Sequence, residues 1–232
     1  MKVVILAGGF GLRLSEETKF VPKPLVKIGS KPIIWHIMKI FAHYGINDFI
    51  VCLGYKGKMI KEYFENLSEK WNVNCVQTGL KTPTGGRLLL IKKYLKNERF
   101  VLTYGDTLNN LNIDELIKFH KKHRRIATVT ACHPKEKFGI LSINKNLVNH
   151  FMEKPQRKDW VNGGFFVLES DIFQYIDSLN STWEIDPIKK LIKNKQLSAF
   201  KHEGFYQPMD TIHEKNMLQK MWKENAPWRV WK

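Results

Sequence analysis

Gly8, Gly9 and Gly11, followed by Arg13 and then by Lys23 between Pro22 and Pro24, are the residues of this chain best suited to holding phosphate. Glycine lets backbone N–H groups turn inward and approach an oxyanion closely, because no Cβ stands in the way. Arginine adds a rigid fork of donors for phosphate oxygens, and lysine a compact point charge. The apolar run from Val3 to Ala7 that leads into the glycines reads as a buried strand. A strand, a glycine turn and two separated cations together describe a triphosphate cradle. Two commoner phosphate loops do not fit. In the dinucleotide fingerprint GxGxxG, the frame set by Gly9 and Gly11 puts Leu14 where the third glycine belongs. A P-loop needs Lys-Ser or Lys-Thr after its glycines, and none follows. A plain turn beside two solvated cations suits a lone GGxG but leaves the rest of the ordered string unexplained.

The next chemical groups are carboxylates. Tyr104-Gly105-Asp106 follows an apolar run, so Asp106 is expected just past the carboxyl end of a central strand, where open α/β sheets bind ligands. A carboxylate there suits Mg²⁺, which takes few protein oxygens together with substrate phosphates. An aspartate in a Gly-Asp turn is the plainer reading of the same residues. Asp210 lies in Tyr206-Gln207-Pro208-Met209-Asp210-Thr211, immediately before a predicted helix, where an N-cap role accounts for it alone. Glu153-Lys154-Pro155 reads as a strand end, with Asn162 in Val161-Asn162-Gly163-Gly164 following. Strand alternation puts Glu153 and Lys154 on opposite sides, so a shared target requires a bend before the proline.

Apolar spacing predicts the frame that must bring these groups together. Residues 31–44 carry Ile33, Ile34, Ile37, Met38, Ile40 and Phe41 at helical intervals, and Gly45 suits the C-cap. Residues 48–53 read as a strand, 58–67 as a helix, 72–77 as a strand and 86–95 as a helix. A strand at 99–104, a helix at 112–123 and an extended segment at 126–132 follow. That alternation predicts an α/β fold with a mostly parallel central sheet and helices on both faces. From about Phe138 the rhythm changes to short strands at 139–143, 148–153 and 164–168, with Asn144-Lys145-Asn146 as a turn. Helices at 170–178 and 183–193, a strand at 197–201 and a helix at 211–223 complete the pattern. Thr211 and Glu214 stand at capping-box spacing. No repeat, low-complexity tract or linker intervenes, so residues 1–232 are expected to form one domain.

Composition narrows the partners. The net charge is +16, and its densest run is His120-Lys121-Lys122-His123-Arg124-Arg125. A nucleic-acid surface is one reading of that run. However, it closes a predicted helix, where cations complement the dipole, and the other lysines are scattered without an interleaved aromatic patch. A solvated face that helps to draw in anionic substrates is the reading adopted, with no nucleic-acid partner. No apolar stretch approaches transmembrane length, and the first one stops at glycines too early for a signal-peptide core, so no membrane partner is expected. Cys52, Cys75 and Cys132 lie in strand-like segments without CxxC spacing, the pattern of reduced cysteines in a cytoplasmic protein.

The glycine string, PKPL, the Gly-Asp after a strand, EKP with NGG, and PMDT occur in the order found in the sugar-phosphate nucleotidyltransferases. Within that family the chain resembles the glucose-1-phosphate cytidylyltransferases over essentially its whole length, through GLRLSEET, KPIIWHIMKI, GYKGKMIKEYF, TGGRL, NGGFFVL, FYQPMDT and APWRVW. The resemblance implies a Rossmann-like nucleotidyltransferase fold, a Mg²⁺ cofactor, and the joining of a sugar 1-phosphate to CTP with release of pyrophosphate. It assigns Leu6, Gly8, Gly9, Gly11, Arg13 and Lys23 to the nucleotide, the glycines and cations at its triphosphate. Thr78, Gly79, Gly86 and Arg87 would line the base, with Arg87 facing the cytosine carbonyl. Asp106 and Asp210 would hold the metal, and Lys154 the acceptor phosphate. Glu153 and Asn162 would meet sugar hydroxyls, with Tyr104, Thr107 and Gly139 alongside. Arg13, Lys23, Asp106, Lys154 and Asp210 make up the implied catalytic set. Residues 1–132 would serve mainly the nucleotide and 133–232 mainly the sugar phosphate, in a homo-oligomer.

Three departures from the family pattern stand out. Leu12 replaces a threonine, Thr107 replaces a glycine after Gly-Asp, and the connection from Glu65 to Lys70 is short. The last two leave open a different hexose or heptose 1-phosphate, or a non-sugar phosphate, as acceptor. A non-catalytic nucleotide-sugar sensor is the distant alternative, and it leaves Lys23, Asp106, Lys154 and Asp210 without a purpose.

Overall fold

Short apolar runs bounded by turn residues become strands here, and the central ones, at Lys2–Leu6, Asp48–Leu53, Phe100–Tyr104, Ala127–Cys132 and Val161–Leu168, are covered on both faces. The structure is a computed structural model that describes residues 1–134, 136, 138–155 and 159–231. Its first part runs β1 (Lys2–Leu6), α1 (Ser15–Thr18), β2 (Lys27–Ile28), β3 (Lys31–Pro32), α2 (Ile33–His43), β4 (Asp48–Leu53), α3 (Gly57–Glu65) and β5 (Asn72–Gln77). There follow α4 (Thr84–Ile91), β6 (Phe100–Tyr104), β7 (Thr107–Asn109), α5 (Ile113–His123), β8 (Ala127–Cys132), β9 (Ile140–Asn144) and β10 (Leu147–Met152). The chain continues through β11 (Val161–Leu168), α6 (Asp186–Lys193), β12 (Leu197–His202), β13 (Tyr206–Pro208) and α7 (Ile212–Glu224).

Seven strands form one sheet in the order β12-β8-β11-β6-β1-β4-β5. The pairs β1–β4, β1–β6, β4–β5 and β8–β12 are parallel, whereas β11 runs antiparallel to both β6 and β8. Alternate side chains of each strand feed two cores. Val3, Ile5, Val51, Val101 and Phe165 pack with Ile33, Ile37 and Phe41 of α2, Leu116 of α5 and Leu218 of α7. Val4, Ile50, Leu102 and Phe166 pack on the opposite face with Leu88 of α4, Ile172, Trp183 and Leu191 of α6. Burial on both faces explains why the central strands read as continuous apolar runs rather than alternating ones.

Several expectations shift in detail. The helix expected at 170–178 is a 3₁₀ segment, Ser170–Tyr175, and the one expected from residue 183 starts only at Asp186, where Pro187 suits a first turn. Lys31 and Pro32 belong to β3 rather than to α2. His120 is buried and bonds Thr128 Oγ1 and Glu169, so the basic run is interrupted on the surface. No helix among the described residues is long and apolar enough to cross a membrane.

Two peripheral features matter below. β9 and β10 form a separate two-stranded hairpin whose residues are all exposed. Beyond α7 the chain folds back, and Trp228 is fully buried with its Nε1 donating to Nδ1 of His36 at 3.4 Å. The opposite ring nitrogen of His36 bonds the carbonyl of Ile28 at 2.9 Å.

Candidate active site

β1 lies between β4 and β6, and the chain that leaves it at Leu6 enters the carboxyl edge of the sheet at a topological switch point, where open α/β sheets form their ligand crevice. The glycine turn opens there onto a cleft of about 620 Å³ lined by Gly8, Gly9, Gly11, Arg13, Lys23 and Asp106, among others. A Cβ on Gly8 would lie 2.0 Å from Nη1 of Arg87, so any other residue there would displace that guanidinium. Gly11 takes φ +65°, a left-handed conformation that suits glycine, and its carbonyl accepts from Oγ1 of Thr18 at 3.2 Å. Lys56 Nζ donates to the carbonyls of Thr18, at 3.1 Å, and of Lys19, which pins α1 behind the turn.

Asp106 and Asp210 are brought together by a strand pair too short to see in the sequence. β13 runs antiparallel to β7 with Pro208 opposite Thr107, and Met209 N–H donates to the Asp106 carbonyl at 2.9 Å. Lys23, in a 3₁₀ turn, then reaches both carboxylates, donating to Oδ2 of Asp106 at 2.6 Å and Oδ1 of Asp210 at 2.7 Å. Arg13 Nη1 donates to Oδ2 of Asp210 at 2.7 Å. Burial of Lys23 disfavours its charge, but the Asp106 carboxylate and then Asp210 outweigh this, and its pKa stands above the ordinary lysine value. The ammonium therefore stays charged at neutral pH.

The carboxylate pair also meets the test for a divalent cation. Both groups aim at one point, the one now taken by the Lys23 nitrogen. Among the described residues no cluster of three or more His, Cys, Asp or Glu converges. Two carboxylates without nitrogen or sulfur ligands fit Mg²⁺, which retains waters and binds substrate phosphates.

Several assignments made from the sequence change in kind. Asp210 is not the cap of α7. Thr211 is, with its Oγ1 accepting from Glu214 N–H at 3.2 Å while Glu214 Oε2 accepts from the N–H groups of Thr211 and Asp210 at 2.9 and 2.7 Å. Thr107 is buried in β7 and does not line the cleft; its Oγ1 donates to Oδ1 of Asp106 at 3.2 Å. Gly86 does not face the cleft either, since a Cβ there would lie 2.0 Å from the Leu179 carbonyl. Arg87 lines the cleft, yet its guanidinium donates to the carbonyls of Leu53 and Gly8 at 3.0 and 3.1 Å and to Thr78 Oγ1 at 2.6 Å. Thr78 is buried beneath the cleft and Gly79 turns the chain before it at φ +92°. The wall itself is made by Leu80, Lys81, Thr82, Pro83 and Thr84. Of the string from Thr78 to Arg87, residues 80–84 and Arg87 line the cleft, whereas Thr78, Gly79 and Gly86 do not.

In the group expected at the acceptor, Lys154 takes φ +45°, which bends the chain before Pro155, and its Nζ lies 3.2 Å from Oε1 of Glu153. Both side chains are more than half exposed, and Gly139 packs against Phe151 and Glu153 at the base of the hairpin. None of the three lines the cleft. Asn162 Oδ1 accepts from Gly164 N–H at 2.8 Å at a bulge in β11. Leu6 and Tyr104 line the cleft. Burial, and then the Glu184 carboxylate, push the Tyr104 hydroxyl far above its usual pKa, so it remains a donor. Glu214 completes the capping box expected with Thr211, whereas Glu184 had no motif to single it out and only the bonds it makes identify it.

A model of the nucleotidyl transferase family matches residues 2–224. A glucose-1-phosphate cytidylyltransferase from Salmonella typhimurium is 46% identical over 256 aligned positions that cover 100% of both chains. A candidate glucose-1-phosphate cytidylyltransferase from Bacillus subtilis is 41% identical over the same full coverage. Among solved structures, a candidate glucose-1-phosphate thymidylyltransferase from Bacillus anthracis superposes with a TM-score of 0.75 at 20% identity, covering 97% of this chain and 96% of the other. That last likeness is one of fold.

Proposed function

The chain belongs to the nucleotidyl transferase family, and from that premise we propose that it joins a sugar 1-phosphate, glucose 1-phosphate first among them, to CTP, forming a CDP-sugar and pyrophosphate. The observation that carries this reading is the Lys23 ammonium between Asp106 and Asp210 at the edge of a glycine-lined cleft. A phosphate monoester must approach a triphosphate that is itself an anion, and this requires cations placed among them. Lys23, Arg13 and the amides of the glycine turn hold the triphosphate and steady the departing pyrophosphate. One oxygen of the sugar phosphate forms a bond to the α-phosphorus as the bond to the β-phosphate oxygen breaks. That oxygen is already a competent nucleophile, so no general base is needed, and positioning and charge carry the rate.

Asp106 and Asp210 are the residues that would hold Mg²⁺, whose contribution when bound is to neutralise charge between the two reacting phosphates. Thr107 orients Asp106 for that task. The base is placed against residues 80–84, with Arg87 acting on it by propping Gly8 and the end of β4. Lys154 is assigned to the acceptor phosphate and Glu153 to its hydroxyls. The hairpin that carries them springs from the end of β8 and returns to the start of β11, and Asn162 there pairs with Ala131, so it stands over the same carboxyl edge as the cleft.

Residues 1–232 are taken as one domain because β11, from the second half, sits between β6 and β8 of the first. The three free cysteines support a cytoplasmic site of action. The exposed hairpin supports a homo-oligomer, since an isolated two-stranded sheet with apolar residues on its faces gains stability from a second copy.

The test is pyrophosphate release with CTP, UTP, ATP, GTP and dTTP against a panel of sugar 1-phosphates. CTP with glucose 1-phosphate is expected to be the best pair. Equal or better turnover with dTTP at matched acceptor overturns the nucleotide, and a better acceptor corrects the sugar.

A further inference from the structure

Glu184 stands in a turn ahead of α6 and belongs to none of the groups discussed above, yet both its oxygens are committed to the cleft. Tyr104 Oη donates to Oε1 at 2.5 Å, and Thr84 Oγ1 donates to Oε2 at 2.6 Å. Tyr104 closes β6 two residues before Asp106, and Thr84 opens α4 at the end of the 80–84 wall. Both line the cleft, whereas Glu184 lines a neighbouring cavity of about 370 Å³ behind them. The segment that carries Glu184 is itself fixed to α4. Trp183 N–H donates to Thr84 Oγ1 at 2.9 Å and Gly86 N–H to the Ser181 carbonyl at 3.1 Å. A Cβ on Gly85 or Gly86 would collide with the carbonyls of Ser181 or Leu179, at 2.7 and 2.0 Å.

We infer that Glu184 is a positioning residue that straps the nucleotide wall to the strand end bearing Asp106, and so fixes the width of the cleft. This inference rests on the proposed reaction for its effect on rate. A misplacement of about 1 Å between reacting groups costs up to a hundredfold in rate, so a strap of this kind acts on kcat more than on ground-state binding.

A strap cut at one end is as slack as a strap cut at both. Tyr104→Phe removes the tie to β6, and Thr84→Val removes the tie to α4 together with the bond from Trp183 N–H; each is expected to lower kcat about tenfold with a smaller change in the KM for CTP. The double variant is expected to be no slower than either single one. Hydrogen–deuterium exchange of the peptide spanning 80–84 reads the same strap without turnover, and is expected to quicken equally in all three proteins. Multiplying rate losses in the double variant, or exchange at 80–84 that stays at the wild-type rate, overturns the inference. A wild-type protein without pyrophosphate release would overturn the reaction instead, and the exchange measurement would still decide the strap. Glu184→Leu, which can bond neither hydroxyl, is expected to match the single cuts; full wild-type kcat in that variant also counts against it.

Discussion

At the scale of residues, one ammonium sets the charge of the site. Lys23 holds two carboxylates at 2.6 and 2.7 Å, and Arg13 holds the second of them. Asp210 therefore contributes charge, while Thr211 and Glu214 cap the helix behind it. Asp210→Asn separates these roles: thermal unfolding is expected to change little, while kcat falls about a hundredfold or more, as for loss of a major electrostatic stabiliser. Activity within a few-fold of wild type would remove Asp210 from the chemistry. Arg87→Ala takes three donors from under Gly8 and the end of β4, so it is expected to raise the KM for CTP more than that for the acceptor. A change confined to the acceptor's KM would contradict that. Lys154→Met is expected to do the reverse, raising the acceptor's KM and leaving CTP affinity by calorimetry nearly unchanged. Loss of CTP affinity with an unchanged acceptor KM would put Lys154 on the nucleotide side.

At the scale of elements, the capping box and the buried histidine give measurable energies. Thr211→Ala removes the cap of α7 and is expected to cost about 1 kcal/mol of stability in a denaturant titration. His36 is buried between the Ile28 carbonyl and Trp228, and burial lowers its pKa from 6.5 to about 4. The unfolded chain then takes up the proton first on acidification. Stability is complete above about pH 6.5 and falls as pH drops towards 4, by about 1.4 kcal/mol per unit at most from this group. His36→Gln is expected to flatten the change in Tm across that window, and an unaltered pH profile would show that His36 carries none of it. Elements with many apolar residues in register were legible: β4 and β5 have the expected bounds, and α2 and α5 differ only at their ends. β7 and β13 were not, because three residues carry no periodicity and each strand exists only through the other. The same pair decides that Thr107 faces Asp106, which its position after Gly-Asp did not reveal. Gly86 and Arg87 stand in a legible motif, but which way Gly86 faces depends on the 179–181 segment, and the direction of Arg87 on Gly8 and the end of β4, all distant in sequence.

At the scale of the whole molecule, the sheet and the hairpin answer to different forces. The sheet is closed by two cores, whereas Ile143, Leu147 and Phe151 of the hairpin are 61, 74 and 57% exposed. If the proposed homo-oligomer forms through this hairpin, Ile143→Lys and Leu147→Lys reduce the mass seen by light scattering to that of one chain without lowering Tm, because neither residue belongs to a core. A mass unchanged by both would place any assembly elsewhere. The strand that pairs with β7 has a consequence in time. All seven strands of the main sheet have been made once His202 is added, but Asp210 has not. A chain growing on the ribosome thus has every strand of its main sheet while only one of the two carboxylates is present, and the second follows β13. The same late stretch brings Met209, Leu218 and Trp228 into the first core, so one core and the carboxylate pair are completed together.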